Sequence, residues 1–114
     1  MKRDSDRLAD IIDAINKIEK YSAEGRESFD SDELIQTWMI HHLQVIGEAA
    51  GRLTPSFREK HPTIPWKEII AMRNIIVHDY SVVDMDEVWG SVVKDLPELK
   101  KKISETLLNL QGKE

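Results

Sequence analysis

Apolar residues recur at helical spacing along most of this chain, and strand-like alternation competes nowhere. Leu8, Ile11, Ile12, Ile15 and Ile18 form one stripe, which predicts an amphipathic helix from residue 4 or 5 to residue 21. The polar stretch Ala23-Glu24-Gly25-Arg26-Glu27-Ser28 reads as a loop. A second helix is expected from residue 30 or 31 to residue 53. Its apolar positions, Leu34, Ile35, Trp38, Met39, Leu43, Val45, Ile46, Ala49 and Ala50, lie on more than one side. A helix apolar all round is central to a bundle or covered by a partner subunit, and both readings stay open here. Gly47, Ala50 and Gly51 would let another backbone come close to that helix.

Three of the four prolines fall within residues 54–65. Thr54-Pro55 has the form of an N-cap followed by proline at the first helical position, predicting a short helix over 56–61. Pro65 then opens a helix from residue 66 to about residue 79. Asp84 and Glu87 have capping-box spacing and start the last helix. Its apolar positions, Met85, Trp89, Val92, Leu96, Leu99, Ile103 and Leu110, step straight past Pro97. An unbroken stripe predicts that Pro97 kinks this helix rather than ending it. Lys100-Lys101-Lys102 reads as a solvated face. The expected fold class is all-α, an antiparallel bundle of four to five helices in a single domain over residues 1–114.

Composition narrows the chemistry. With 114 residues, 40% apolar and 32% charged, the chain suits one soluble globular domain. The absence of cysteine excludes disulfides and thiolate metal sites and permits a cytoplasmic location. The N-terminus is charged and has no apolar run behind it resembling a signal peptide. The longest stretch without Asp, Glu, Lys or Arg is the 14 residues 34–47. That falls short of the roughly 20 needed to span a membrane. A net charge of −5 argues against coating nucleic acid through bulk electrostatics, so any RNA contact must be local. Neither a Gly-rich phosphate loop, a nucleophile elbow nor zinc spacing occurs, and no cofactor is expected. His41, His42 and Glu48 are metal-ligand residue types, but adjacent histidines point about 100° apart on a helix, so no metal is expected. His42 is placed instead near the core or an interface, with Glu48 within reach of the helix that follows Pro65. His61, flanked by prolines, is expected in solvent.

The segment Arg73-Asn74-Ile75-Ile76-Val77-His78-Asp79-Tyr80 concentrates polar chemistry in an otherwise apolar run. Arginine is a permanent cation whose planar fork suits phosphate oxygens, and histidine exchanges protons near neutrality. On a continuous α-helix, Arg73 and His78 would stand about 140° apart and roughly 7.5 Å along the axis. Asn74 would lie one turn before His78 and orient it. Metal-free RNA cleavage needs a group to move protons and a cation for the charge that develops on phosphorus oxygens. One histidine per chain is fewer than acid and base roles prefer, and a two-fold dimer would supply a second. A histidine at a helix end is also commonly a simple cap, and Tyr80 can equally be an aromatic that packs there.

Arg73-Asn74-x-x-x-His78-x-Tyr80 resembles the signature of HEPN domains, specifically the HepT-like toxin ribonucleases of the HepT/MntA toxin–antitoxin family. His42 through Ala50, Pro65-Trp66, Val88-Trp89 and Leu96-Pro97 extend the resemblance over essentially the whole chain. The resemblance implies a homodimeric, metal-independent endoribonuclease with its cleft at the dimer interface. It implies Arg73 and His78 as catalytic residues, with Asn74 and Asp79 supporting them. It also implies a nucleotidyltransferase antitoxin, MntA-like, that transfers AMP from ATP onto Tyr80. The alternative reading of the same residues is a non-catalytic helical nucleotide-binding or docking subunit of a nucleotidyltransferase.

Overall fold

The structure, a computed structural model, describes residues 2–74 and 84–112. The chain opens with α1 (Asp4–Ser22), a short α2 (Arg26–Ser31) and a long α3 (Glu33–Gly51). Next come α4 (Pro55–Lys60) and α5 (Trp66–Ala71), which tightens into a 3-10 turn at Met72–Asn74. Beyond residues 75–83, α6 (Met85–Gly90) passes through a π-helical turn (Ser91–Asp95) into α7 (Leu96–Gly112). The described residues contain no strand, and the fold is an all-α bundle. None of their helices is long and apolar enough to cross a membrane.

Helix α1 is the shared neighbour of the two other long helices. Near the start of α3, Trp38 Nε1 donates to the Lys17 carbonyl at 2.8 Å. Just past its end, Thr54 donates from its backbone N–H (3.0 Å) and its hydroxyl (2.8 Å) to the Asp4 carboxylate. These ties require α3 to run opposite to α1. Lys100, near the start of α7, meets Glu19 near the end of α1 at 2.7 Å. Thr106 and Asn109 lie across a cavity from Asp4, so α7 is antiparallel to α1 as well. Leu8, Ile11, Ile15 and Ile18 are fully buried and share one core with Met39, Leu43 and Ile46 of α3 and with Leu96, Leu99 and Ile103 of α7. The three-and-four stripe of α1 is thus the bundle's seam.

Several details depart from the sequence reading. Residues 26–31, expected within a loop and the start of the second helix, form α2. Gly25 turns the chain at a φ of 96°, a conformation that costs little without a Cβ. Phe29 is then completely buried, with its ring 5.2 Å from that of Trp89. Arg26 bonds Asp30 at 2.8 Å and also reaches Asp86 of α6. A six-residue helix is too short to show a period, and it is the burial of Phe29 that holds it. Helix α3 accordingly starts later than expected, capped by Asp32, whose carboxylate accepts from Leu34 N–H at 2.9 Å.

The helical run does continue past Pro97. Proline has no N–H to offer the carbonyl four residues back, and its ring crowds that carbonyl. The wider π-helical turn immediately before it relieves the crowding. The lysine run is only partly a solvated face: Lys100 is tied to Glu19, and Lys102 donates to the Thr63 carbonyl at 3.1 Å. His61 is half-buried rather than free in solvent, with its ring 4.4 Å from that of Phe57. On α3, central packing accounts for most apolar positions, while Leu34 (80% exposed) and Trp38 (36%) remain at the surface.

His42 lies in the core as expected, only 6% exposed, and neither ring nitrogen has a hydrogen-bond partner. Its ring stands edge-on to Trp38 at 4.5 Å and to His41 at 4.9 Å. Burial, followed by the charges of His41 and Lys17, pushes its pKa below the ordinary 6.5, and Asp13 only partly opposes this. The unfolded chain therefore takes up a proton that the folded chain refuses, so stability is present at neutral pH and is withdrawn as pH falls below that value. Urea unfolding of wild type and His42→Phe at about pH 7 and about pH 5 should show the wild type losing more stability on acidification. Parallel losses would clear His42 of the effect.

Candidate active site

The site begins with how the chain reaches Arg73. Pro65 precedes α5, Trp66 Nε1 donates to the His61 carbonyl at 3.0 Å, and Trp66 and Ile69 are buried. These anchors press the end of α5 onto α3 where two glycines, Gly47 and Gly51, leave α3 without side chains. A Cβ on Gly47 would lie 2.4 Å from the Arg73 backbone nitrogen and 3.0 Å from the Ile69 carbonyl oxygen. One turn later, a Cβ on Gly51 would lie 2.7 Å from Arg73 Nη1. Gly47 therefore receives the backbone of Arg73, and Gly51 receives its guanidinium. The close approach expected of this glycine pair is realised within the chain. Gly51 is the last residue of α3, and the carbonyl end of a helix favours a cation.

Arg73 borders a cavity of about 610 Å³ between α1 and α3. Arg7 and Asp10 line it from α1, and His41, Gln44 and Glu48 line it from α3. Glu48 accepts a bond from Arg52 Nε at 2.8 Å. That bond and charge, then the charges of Arg73 and Arg7, hold its carboxyl below its ordinary 4.5. At neutral pH it is an ionised anchor shared among three guanidiniums and is unsuited to donating a proton. The acids at the other end are already engaged: Asp10 pairs with Lys2 at 2.8 Å and Asp13 with Lys17 at 3.0 Å. The lining as a whole is balanced, Lys2, Arg7 and Arg73 against Asp10, Asp13 and Glu48, and the guanidiniums gather around Glu48. Such an arrangement holds an anion with oxygens to share, and phosphate is the obvious class.

The structure brings together Arg73, the neighbouring Asn74 and Glu48, and leaves both Arg73 and Asn74 exposed. His78, Asp79 and Tyr80 lie outside the described residues. The helical angle estimated between Arg73 and His78 does not apply, because Arg73 sits in a 3-10 turn with about three residues per turn. His41 and His42 diverge as adjacent helical residues must: His41 faces the cavity, and His42 is buried. Sequence reasoning missed Arg7. Its only signal was a place beside Leu8, on the flank of the α1 stripe.

The family model described as Ribonuclease HepT-like matches residues 11–106. The chain belongs to the HepT-like ribonuclease family. A Thermococcus cleftensis protein named "Probable ribonuclease HepT" is 40% identical over 104 residues, covering 90% of this chain and 94% of that relative. A Caldanaerobacter subterraneus subsp. tengcongensis protein named "Putative RNase TTE0752" is 38% identical over 90 residues, covering 79% and 80%. No solved structure matches the chain. The span matched by the HepT-like model takes in α3, both glycines of the Arg73 seat and the whole Arg73-to-Tyr80 segment.

The two glycines predict opposite stability effects. In a helix interior, alanine gains about 0.5–1 kcal/mol over glycine. At position 47 the new methyl meets backbone, and overpacking costs about 1–3 kcal/mol, so the clash wins. Thermal melts should show Gly47→Ala several degrees below wild type. At position 51 the methyl meets only the flexible end of Arg73, so Gly51→Ala should melt within a few degrees of wild type. Equal melting of Gly47→Ala and wild type would refute the backbone seat.

Proposed function

We propose that this chain is the toxin of a toxin–antitoxin pair, a metal-independent endoribonuclease acting as a homodimer. The observation that carries the reading is the Arg73 guanidinium, exposed and seated on Gly51 at the edge of a cleft that Arg7 also lines. Family membership and the names of the relatives support RNA as the substrate. His78 follows five positions after Arg73, and the partner subunit brings a second copy of the pair to the shared cleft.

The chemistry needs little else. A base takes the proton of a ribose 2′-hydroxyl, and O2′ bonds to the adjacent phosphorus. The bond from phosphorus to O5′ then breaks, leaving a 2′,3′-cyclic phosphate, and O5′ takes a proton. His78 moves these protons, Arg73 bears the charge that builds on the non-bridging oxygens, and Asn74 and Asp79 orient the pair. The nucleophile is internal to the RNA, so no metal-bound water is required. A nucleotidyltransferase antitoxin silences the site by joining the α-phosphorus of ATP to the Tyr80 oxygen, which loses its proton as pyrophosphate leaves. The added adenylate puts bulk and negative charge two residues from His78, where the RNA phosphate must sit.

His78→Ala should lower RNA cleavage by roughly 10²- to 10⁴-fold, and Arg73→Ala by about 10²- to 10³-fold. Both should melt as wild type does, and excess chelator should leave the rate unchanged. Wild-type cleavage by His78→Ala would remove the catalytic assignment. Co-expression with a nucleotidyltransferase antitoxin should add adenylate masses that map to Tyr80 and vanish in Tyr80→Phe; increments that persist in that variant would place the modification elsewhere.

A further inference from the structure

Arg7 has no part in the chemistry above, yet it is set into the same cleft from the opposite wall. Leu8, its neighbour on α1, is fully buried and fixes the helix face on which Arg7 stands. Arg7 itself is half-buried, and its Nε is shut off from solvent with no hydrogen-bond partner among the described residues. A guanidinium N–H enclosed without an acceptor is unfavourable unless something else supplies one.

The nearby carboxylates do not. Both oxygens of Asp4 accept from Thr54, at 3.0 and 2.8 Å. Asp6 accepts from the Arg3 backbone N–H at 3.0 Å, Asp10 is held by Lys2 at 2.8 Å, and Glu48 is held by Arg52 at 2.8 Å. Among the described residues, each of these acids thus has another hydrogen-bond donor, and Glu48 acts on Arg7 through its charge alone. Arg7 and Arg73 line the same space from α1 and from the 3-10 turn, as does Glu48 from α3.

We propose that Arg7 is a second phosphate-binding residue of this cleft, a positioning group that grips a backbone phosphate of the RNA beside the one held at Arg73. The part of the fork that lines the cleft meets the phosphate while Nε stays enclosed, and the strand is fixed at two points rather than one. Glu48 keeps the two cations from repelling each other while the site is empty. This inference rests on the ribonuclease reading, since it concerns the same cleft, but its readout is binding rather than turnover.

The test uses the full-length protein and a fluorescent single-stranded oligoribonucleotide with 2′-O-methyl groups, which cannot be cleaved. Its affinity is measured across a range of salt concentrations for wild type, Arg7→Gln and Arg7→Lys, with cleavage of the unmodified RNA followed in parallel. Arg7→Gln should bind roughly ten- to a hundredfold more weakly. Its plot of log affinity against log salt should be shallower by about 0.7, the contribution of one single-strand phosphate contact. Arg7→Lys should keep the wild-type salt slope while losing part of the affinity, because it retains the charge but not the fork. In cleavage the loss should fall on KM rather than kcat. A merely structural role for Arg7 would leave the salt slope untouched.

Wild-type affinity and slope in Arg7→Gln, with wild type itself cleaving RNA, would overturn the role of Arg7 and leave the ribonuclease reading standing. Binding without cleavage by wild type would sink the ribonuclease reading, while the Arg7 series would still decide this inference. Neither binding nor cleavage by wild type would sink both. Should Arg7→Gln fail to fold, Arg7→Lys decides: affinity equal to wild type would overturn the proposal.

Discussion

Residue 47 has no side chain, and the backbone of Arg73 occupies the space where one would stand. That contact sets the approach of α5 to α3 and carries the 3-10 turn against the helix face. It also lays the Arg73 guanidinium along Gly51 at the carbonyl end of α3. Any other residue at position 47 would push the turn outward by the width of at least a methyl group. The orientation of the cation that dominates the cleft thus follows from a missing Cβ rather than from a dedicated hydrogen bond. Buried Trp66 and Ile69 supply the force that holds the turn there, because their apolar surface leaves water only when α5 is seated.

A net-negative chain gathers guanidiniums at one end of a charge-balanced cleft by arranging its pairs. Lysines neutralise Asp10 and Asp13 at one end. At the other end a single carboxylate, Glu48, is shared among Arg52, Arg73 and Arg7. Between low-dielectric helix walls, grouped guanidiniums attract an anion more strongly than the same charges would on open surface. Arginine suits this arrangement because it stays charged whatever its surroundings and presents a planar fork to phosphate.

Much of the fold was readable from residue order. The α1 stripe from Leu8 to Ile18, the Thr54-Pro55 helix start and the Asp84 cap all rest on local geometry, and the structure keeps each of them. The stripe running past Pro97 was legible for the same reason. Helix α2 was not, because six residues carry no period and Phe29 is held by Trp89, which lies far along the chain. Lys100 and Lys102 read as solvated charges because their partners, Glu19 and the Thr63 carbonyl, are equally remote. The 3-10 turn at Arg73 escaped notice as well: the apolar spacing continues through it, and only the packing of α5 on Gly47 shows where the helix tightens.

Sequence by itself determined the all-α class, the glycine pair able to accept a close neighbour, and the residue order by which the chain resembles the HepT-like ribonucleases. These are properties of period, size and residue type, and they are expressed within a few turns of chain. Only tertiary structure decided which backbone those glycines would meet, that Glu48 would gather three arginines, and that Arg7 would face Arg73 across a cleft. Each joins residues far apart in the chain, and such meetings are set by how the helices pack, which no local pattern encodes.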